Sequence, residues 1–285
     1  MKTIRCSAPA KINLFLEVLG KRPDQYHAIH TQMQTVSLYD TLTLTLTEHG
    51  ITLNCDQPGI PCDSSNLVCR AAAAFFEARR SSDGVHIELC KSIPAGGGLG
   101  GGSADAAAVL RGLNQLFDFP FSPGSLAALG AKLGADIPFC VIGGCCTAEG
   151  IGEILTPLPS LPNCRILVIE GKTPTATPAA FAALDRIPRA IQTASPMPDL
   201  LQRGNLADIC AHLYNAFEAV SPSAEAIRSL LLANGALGAR MSGSGSAVYG
   251  IFAPEADTSD AQNALHIHGY RCFPCQPLPH SLPLQ

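Results

Sequence analysis

The sequence contains no surplus of positive charge. Its 285 residues include 19 lysines and arginines against 23 aspartates and glutamates, so the formal net charge at pH 7 is −4. Proteins that bind nucleic acid or an anionic membrane surface usually carry a basic field, and this composition provides none. We therefore expect neither partner. An anionic substrate would have to be held by local positive groups and by backbone dipoles.

Long apolar runs are also missing, since none approaches the roughly 18 residues that a membrane-spanning helix needs. At the N-terminus, Lys2 and Arg5 resemble the charged start of a secretory signal. Pro9 and Lys11 follow before any long apolar segment can form, however, and the apolar stretch 12–16 is too short for such a signal. The sequence therefore predicts a soluble, cytoplasmic protein.

The twelve cysteines follow no regular spacing. In a chain without a secretory signal, scattered cysteines are most simply reduced and buried as small hydrophobic residues. One cluster, formed by His266, His268, Cys272 and Cys275, contains four side chains that can bind a metal ion. It has only one Cys-x-x-Cys pair, and its plainer interpretation is a helix end followed by a terminal strand. We favour this second interpretation.

Glycine is concentrated at one place: residues 96–102 are all glycine except Leu99. A strand-like run at 85–91 precedes this segment, and a helix-like run from 104 to about 117 follows it. Each glycine costs about 0.5–1 kcal/mol of folding free energy relative to alanine, so the cluster indicates a structural or functional role. Glycine lets consecutive backbone N–H groups turn towards an anion, and the helix start adds its own unpaired N–H groups. Residues 94–104 are therefore predicted to hold a polyphosphate.

Three other interpretations of this segment are weaker. A flexible linker does not usually lie between a strand and a helix, and Leu99 is a candidate hydrophobic anchor. A Walker A motif would end in Gly-Lys-Ser/Thr, which is absent from the sequence here. Residues 96–101 do match the dinucleotide pattern G-x-G-x-x-G, but the acidic residue at a suitable distance, Asp118, follows a helical segment rather than a strand. We therefore rank a nucleoside triphosphate above a dinucleotide.

Three further segments have residue types that phosphoryl transfer requires. Lys11 lies at the start of an apolar strand, Asp136 lies between apolar neighbours, and 242–246 is a second glycine-rich loop. Each also has an ordinary interpretation: a strand-end lysine, an aspartate in a turn or helix cap, and a tight turn before a strand. If Lys11 and Asp136 are adjacent, the ammonium would favour the ionised carboxylate, which could accept a proton from an alcohol. The sequence alone does not show whether these two side chains are in contact.

Strand and helix patterns are mixed along the chain without strict alternation, and no repeat of fixed period is present. The alternation of threonine and leucine at 41–47, for example, predicts a strand with one wet face. This mixture indicates an α+β protein of two domains. The proline-rich segment 157–162 is the best candidate for the boundary, which gives domains at 1–157 and 158–285.

Four motifs together resemble the GHMP kinase superfamily. They are Pro-Ala-Lys-Ile-Asn-Leu at 9–14, Pro-Ala-Gly-Gly-Gly-Leu-Gly-Gly-Gly-Ser at 94–103, Gly-Ala-Asp-Ile-Pro-Phe at 134–139 and Ser-Gly-Ser-Gly at 242–245. Each is weak alone, but they occur in the family's order and span most of the chain. The resemblance implies an N-terminal domain like domain 2 of ribosomal protein S5 and a ferredoxin-like C-terminal domain. ATP and the acceptor would meet in the cleft between them.

The resemblance also implies roles for individual residues. Asp136 would accept a proton from the acceptor hydroxyl or orient it, and Lys11 would stabilise that carboxylate and the transferring phosphoryl group. Ser103 would lie near Mg²⁺, and Asn66 and Lys91 would hold the nucleoside part of ATP. The ATP phosphates would lie against Pro94, Ala95, Gly96, Gly97, Gly98, Leu99, Gly100, Gly101, Gly102, Ser103 and Ala104.

A narrower resemblance is to the branch whose acceptor is a cytidine diphosphate-linked sugar alcohol of non-mevalonate isoprenoid biosynthesis. It implies that Tyr26 stacks on the cytosine, that His27 hydrogen-bonds to the edge of this base, and that Asn13 touches polar groups of the acceptor. Thr177 and Phe181 would close the cytidine pocket from the second domain. The motifs that carry this resemblance are Lys-Ile-Asn-Leu-Phe-Leu at 11–16, Tyr-His at 26–27 and Ala-Glu-Gly-Ile-Gly-Glu at 148–153.

Two positions depart from the family's pattern. Ala104 stands where a second hydroxyl residue is common, so one phosphate contact is missing. Ala216 stands where an aspartate is common, which puts a role for its segment in doubt. Glu149 and Glu153, which belong to the third motif of the narrower resemblance, receive no role.

The sequence thus predicts an enzyme, monomeric or homodimeric, that transfers the γ-phosphoryl group of ATP directly to a small-molecule alcohol. It would need Mg²⁺ and would form no phospho-enzyme. Another small-molecule GHMP kinase, such as homoserine kinase, is the alternative enzyme. A nucleotide-binding protein without catalysis is the alternative from a different class, and the presence of Lys11 and Asp136 argues against it.

Overall fold

One long antiparallel hairpin organises the architecture. In the computed structural model, which describes residues 2–173 and 176–279, strand β1 (Thr3–Lys21) pairs with strand β2 (His27–Thr47) over nearly its whole length. In β2, Leu42 and Leu44 are fully buried while the neighbouring threonines at 41, 43 and 45 are partly exposed, as the alternation predicts. In β1, residues 8–18 are all buried, because other layers cover both faces of this strand.

The remaining elements alternate irregularly between strand and helix. Within the described residues, the further strands are β3 (Ile51–Cys55), β4 (Gly84–Cys90), β5 (Cys145–Glu149), β6 (Ile154–Leu158), β7 (Arg165–Ile169), β8 (Tyr214–Asn215), β9 (Gly238–Met241), β10 (Val248–Phe252) and β11 (Cys272–Cys275). The helices there are α1 (Leu67–Arg79), α2 (Gly101–Leu116), α3 (Pro123–Ala131), α4 (Ile137–Ile142), α5 (Thr177–Leu184), α6 (Met197–Arg203), α7 (Leu206–Ala211), α8 (Ser223–Ala233) and α9 (Ser259–Ile267), with a 3₁₀ helix at Ala216–Val220.

The first sheet contains seven strands in the part of the chain that the structure describes. Their order is β3–β4–β2–β1–β8, and β5 pairs with both β2 and β6. Helices α1 and α2 bury their apolar sides in the same core as Leu42 and Leu44. Helix α2 approaches the sheet so closely that a Cβ on Gly112 would lie 2.5 Å from the Cys6 sulfur. This close packing fixes where α2 begins, and the glycine-rich segment leads into that helix.

The second sheet is antiparallel and has the order β11–β7–β10–β9. Its strands follow the fourth–first–third–second order of a ferredoxin-like unit, and α8 and α9 are the helices before the second and fourth strands. These helices bury Leu231 and Leu265 in one core with residues of the second sheet. Other sheet residues, Val168 and Ile251 among them, share a core with Ile12 of β1. The hairpin strand therefore joins the two halves, and the predicted α+β architecture is confirmed.

Several boundaries differ from the sequence prediction in detail. Helix α2 begins at Gly101, three residues before the helix-like run that the sequence predicts from 104. Helix α3 begins at Pro123, where the side chain of Ser122 caps it by accepting a hydrogen bond from the Ser125 amide. The division at 157/158 stays a prediction. Strand β6 ends at Leu158, while β8, much later in the chain, pairs in parallel with β1 of the first sheet.

The cysteines and histidines near the C-terminus do not form a metal cluster in the described residues. His266 lies in the last turn of α9, His268 directly follows that helix, and Cys272 and Cys275 lie on β11, which is the interpretation that the sequence favoured. All twelve cysteines are free thiols. Among the described helices, none is both long and apolar enough to cross a membrane.

We expect native protein to be alkylated first at Cys62 and Cys90, the exposed thiols. Burial raises the pKa of the Cys6 thiol to about 11 and that of Cys140 to about 12, so these side chains carry little thiolate at neutral pH. Mass spectrometry after brief treatment with iodoacetamide at pH 7.5 measures the order of modification. Denatured protein is the control, since all twelve sites should then react. Rapid native modification of Cys140 would contradict the packing described here.

Candidate active site

A cavity of about 620 Å³ lies between the two halves of the molecule. Its walls include the glycine-rich loop, Lys11 and Asn13 of β1, Asp136 at the start of α4, and Thr177 of α5. These elements are distant in sequence and come from both domains. The cavity therefore unites most of the residues that the sequence analysis singled out.

The glycine-rich loop is ordered by its own backbone and by Leu99. Gly96, Gly98 and Gly100 have φ angles of 69°, 75° and 71°, the left-handed region that glycine adopts without a steric penalty. Leu99 is buried in the core, and its carbonyl accepts a hydrogen bond from the backbone N–H of Lys11 at 2.9 Å. These contacts exclude a flexible linker and fasten the loop to β1.

The loop ends at the N-terminus of α2, which presents unpaired N–H groups. Gly100 is the N-cap residue and provides no side-chain cap, and the first backbone bond into the helix runs from the Ala104 N–H to the Gly100 carbonyl at 2.8 Å. The N–H groups of Gly101, Gly102 and Ser103 therefore have no acceptor within the helix. Together with the positive end of the helix dipole, they form an anion-binding site in the cavity wall.

The second glycine-rich loop supports the first one by direct backbone contact. A Cβ on Gly98 would lie 2.2 Å from the Ser242 carbonyl oxygen, and a Cβ on Gly243 would lie 2.8 Å from the Gly98 carbonyl oxygen. The Ser242 hydroxyl donates to that same Gly98 oxygen at 2.9 Å, and the Ala247 N–H donates to Gly97 at 3.0 Å. Glycine is needed in both loops because the two main chains touch.

Lys11 and Asp136 are adjacent, as the functional interpretation required. The Lys11 Nζ lies 3.6 Å from the Asp136 Oδ2; the lysine is 4% exposed and the aspartate 34%. Lys11 Nζ also donates to Asn13 Oδ1 at 2.8 Å, which fixes the direction of the ammonium group. Asp136 stands at the N-cap of α4 but makes no capping bond with its side chain. The carboxylate thus remains available at the cavity wall, with the ammonium beside it.

Asn13 connects this pair to the second loop. Its Oδ1 accepts from the Gly243 N–H at 2.9 Å as well as from Lys11, and its Nδ2 donates to Thr31 Oγ1 at 2.8 Å. The sequence analysis assigned Asn13 to the acceptor. In the structure its side chain organises the surrounding groups, and contact with an acceptor stays a prediction.

Lys91 lies in a buried cluster that the sequence analysis missed. Its Nζ donates to Asp40 Oδ2 and, at 2.7 Å, to Asp105 Oδ2. Burial raises the pKa of Asp105 to about 7, although Lys91 opposes this rise. Asp105 Oδ1 has no hydrogen-bond partner within the described chain. The available signal was a single acidic residue in each of two elements, Asp40 in β2 and Asp105 in α2.

Asn66 and Lys91 both line the cavity, at the end formed by the start of α1. The Asn66 side chain is committed to the fold: its Oδ1 accepts from the Val68 N–H at 2.9 Å, and its Nδ2 donates to the Pro61 carbonyl at 2.6 Å. These residues are placed as a nucleoside site would require, but their contacts with ATP stay predictions.

At the opposite end of the cavity, only some of the predicted acceptor residues form its wall. Thr177 and Phe181 line it from α5. His27 stacks on Phe181, with ring centroids 4.4 Å apart, and its Nε2 lies 3.0 Å from both carboxylate oxygens of Asp185. Tyr26 is 61% exposed and is not among the residues of the cavity wall, and its stacking on a base stays a prediction.

The residues without an assigned role have structural contacts. Glu149 lies 3.5 Å from His30, and Glu153 accepts the Ile151 N–H at 2.7 Å within the β5–β6 turn. Ala104 and Ala216, which depart from the family's pattern, are both buried. The segment around Ala216 still supports the second glycine-rich loop, because the neighbouring side chain of Asn215 donates to the carbonyl groups of Met241 and Gly243.

Comparison with known proteins supports the resemblance to the GHMP kinases. The family model described as "GHMP kinases N terminal domain" matches residues 66–144, and "GHMP kinases C terminal" matches residues 197–271. The 4-diphosphocytidyl-2-C-methyl-D-erythritol kinase of Caldicellulosiruptor saccharolyticus is 41% identical over 267 residues, which cover 91% of this chain and 92% of that protein. The enzyme of the same name from Moorella thermoacetica is 43% identical over 263 residues, 89% of this chain and 91% of that protein.

Solved structures agree with the sequence relatives. A crystal structure of 4-(cytidine 5'-diphospho)-2C-methyl-D-erythritol kinase has a TM-score of 0.80 and 33% identity, and the match covers 96% of this chain and 99% of that chain. Homoserine kinase from Cytophaga hutchinsonii has a TM-score of 0.73 over 98% of this chain and 96% of its own, but only 18% identity, so that likeness concerns the fold alone. By its matched domains and its relatives, this chain belongs to the GHMP kinase family.

Proposed function

We propose that this chain transfers the γ-phosphoryl group of ATP to the 2-hydroxyl of 4-diphosphocytidyl-2-C-methyl-D-erythritol, a step of non-mevalonate isoprenoid biosynthesis. The observation that carries the proposal is the 3.6 Å contact between Lys11 and Asp136 in the cavity that also contains the glycine-rich loop. The acceptor is the substrate named for the relatives that match nearly the whole chain.

The triphosphate lies against the N-terminus of α2 in this proposal. The N–H groups of Gly101, Gly102 and Ser103 are free of helix partners and meet the phosphate oxygens. Ser103 also supplies a hydroxyl oxygen at the cavity wall, which is the type of ligand that Mg²⁺ prefers. When bound, the metal ion would neutralise charge on the phosphate oxygens.

Asp136 and Lys11 perform different parts of the transfer. The Asp136 carboxylate accepts the proton of the acceptor hydroxyl while the hydroxyl oxygen bonds to the γ-phosphorus and the bond from that phosphorus to the β-phosphate oxygen breaks. ADP leaves with the electron pair of the broken bond. The buried Lys11 ammonium orients the carboxylate and stabilises the negative charge on the phosphoryl oxygens, and Asn13 holds that ammonium in place.

The nucleotide-like part of the acceptor meets the aromatic end of the cavity. Phe181 presents a ring there that is already packed against His27 and, edge-on, against Phe217. A nucleobase that stacks on an aromatic ring gains about 1–3 kcal/mol. His27 remains the predicted hydrogen-bonding partner of the cytosine edge, and Tyr26, exposed beside it, the predicted stacking partner.

A panel of acceptors tests the substrate directly. With ATP and Mg²⁺ present, we expect ADP release to depend on 4-diphosphocytidyl-2-C-methyl-D-erythritol. Its kcat/KM should exceed the values for homoserine, mevalonate and galactose at least about 100-fold, because a wrong acceptor leaves polar groups of the site without hydrogen-bond partners. A coupled ADP assay provides the measurement. Preference for homoserine would replace the proposed acceptor, and the absence of acceptor-dependent ADP release would favour a nucleotide-binding protein without catalysis.

Replacement of the proposed base, Asp136→Asn, should lower kcat at least about 100-fold, because general-base catalysis contributes that much or more. The affinity for ATP should change little, since the amide retains the shape of the side chain and the phosphate-binding groups lie on α2. Asp118→Asn, whose parent carboxylate is 89% exposed, is the matched control and should behave like wild type. Near-normal turnover of Asp136→Asn would remove this residue from the mechanism.

Gly98→Ala should raise the KM for ATP about tenfold, equivalent to about 1.4 kcal/mol. A Cβ at this position would lie 2.2 Å from the Ser242 carbonyl oxygen and would require φ near +75°, so the phosphate loop must shift. Gly124→Ala in α3 is the control, because its Cβ would meet only the Ser122 hydroxyl at 3.9 Å. Steady-state kinetics with varied ATP distinguish the two variants. Equal KM values in both would show that contact between the loops does not shape the ATP site.

A further inference from the structure

The segment that follows α5 crosses from the second domain to the hairpin of the first. We call residues 185–195 the strap. It contains no regular helix or strand, yet polar side chains attach it to the hairpin at three places. Near its start, Asp185 contacts His27 at the beginning of β2, and at its end the Ser195 hydroxyl donates to the Gln32 Oε1 at 2.6 Å. The third attachment lies between these two and involves a fully buried charge.

That charge is the carboxylate of Glu17 on β1, which is 0% exposed. Its Oε1 accepts from the Val18 N–H at 2.7 Å and from Arg189 Nη1. Its Oε2 accepts from the Gln192 N–H at 2.9 Å and from the Tyr214 hydroxyl at 3.1 Å. A buried carboxylate is unfavourable unless it is paired and hydrogen-bonded. Two of these four donors belong to the strap, so Glu17 is satisfied only when the strap is in place.

The strap begins where α5 ends, and α5 forms one wall of the cavity. Thr177 and Phe181 contribute that wall, and the Thr177 hydroxyl lies 3.1 Å from the Ser244 hydroxyl of the second glycine-rich loop. The N-terminal end of α5 therefore has its own attachment. Its C-terminal end, where Leu184 is buried in a core with residues of the second sheet, continues directly into the strap. Leu16 precedes Glu17 on β1 and lines the cavity. Because side chains alternate along a strand, the Glu17 carboxylate lies behind the wall and does not face the substrate.

We propose that Glu17 and Arg189 are a positioning pair for the acceptor: through the strap they hold α5, and with it Phe181, at the distance that the nucleoside part of the acceptor requires. Neither residue contacts the reacting atoms. The inference rests on the proposed function, since it concerns the acceptor end of that site. The ATP end is held by other contacts, the N–H of Lys11 on Leu99 and the hydroxyl of Ser242 on Gly98, which do not involve the strap.

The test is whether a change at Arg189 raises the KM for the acceptor without raising the KM for ATP. In Arg189→Met the strap loses the guanidinium that contacts Glu17, and we expect the KM for the acceptor to rise at least tenfold while kcat and the KM for ATP stay within twofold of wild type. Arg189→Lys, which keeps the charge, should recover part of the loss. Arg165→Met, which removes an exposed arginine bonded to the Pro254 carbonyl far from the strap, is the matched control and should leave both KM values unchanged.

A second set of variants covers the chance that one protein fails to fold. Glu17→Gln keeps the shape of the buried side chain, and Tyr214→Phe removes only one donor to it. If the pair acts as a unit, the double variant Glu17→Gln/Arg189→Met should raise the acceptor KM no further than the larger single effect. Where Glu17→Gln is insoluble, Arg189→Met and Tyr214→Phe decide alone, with the tyrosine change producing the smaller rise in acceptor KM.

Direct binding of cytidine 5′-diphosphate separates a failure of this inference from a failure of the proposed function. Calorimetry should show that wild-type protein binds this ligand and that Arg189→Met binds it at least tenfold more weakly. If wild-type protein neither binds it nor uses the cytidine-linked acceptor, the proposed function is wrong. If wild type does both and Arg189→Met equals it, or if both KM values rise together, Glu17 and Arg189 do not position the acceptor.

Discussion

The site depends on the contact between two glycine-rich main chains, one from each domain. The Gly98 and Ser242 backbones approach so closely that a Cβ on Gly98 would lie 2.2 Å from the Ser242 carbonyl oxygen. This contact fixes the phosphate loop from behind. It also reaches the ion pair of Lys11 and Asp136, because Asn13 Oδ1 accepts from both the Gly243 N–H and the Lys11 Nζ. Small displacements of the second domain would therefore move the phosphate loop and the Lys11 ammonium together.

Side-chain charge at the cavity wall offers little net attraction to an anion such as ATP. The two lysines in the cavity wall are already paired: Lys11 with Asp136, and Lys91 with Asp40 and Asp105. Two ammonium groups thus face three carboxyl groups, in a chain whose formal charge is −4. The free N–H groups at the start of α2 supply the positive potential instead, which explains why the loop is rich in glycine rather than in lysine. Because the carboxyl groups outnumber the ammonium groups here, the proposed Mg²⁺ would neutralise phosphate charge that the side chains leave uncompensated.

Much of this arrangement could be predicted from the sequence, because its signals are local. Alternation at 41–47 predicts a strand that the structure contains, and six glycines before a helix predict an anion site at the N-terminus of that helix. The residue types and their spacing did not show whether Lys11 and Asp136 are in contact, and only the family resemblance predicted this contact. The Lys91 cluster and the Glu17–Arg189 pair were missed, since their partners are between 14 and 172 positions apart and no spacing rule connects them. The stacking of Tyr26 on a base stays a prediction, and its side chain is 61% exposed beside the start of β2.

The two ends of the cavity are held by different proportions of backbone and side-chain contact. At the phosphate end the contacts between the two loops are mainly those of backbone groups, with the Ser242 hydroxyl as a side-chain donor, and an added side chain would disturb these contacts, as at Gly98. At the acceptor end they are between side chains, such as His27 with Asp185 and Glu17 with Arg189, which can be exchanged without altering the main chain. Homoserine kinase and mevalonate kinase structures share this fold at 18% and 14% identity. Contacts between backbone groups depend on the course of the main chain more than on side-chain identity, whereas the contacts on the α5 side depend on the particular residues present.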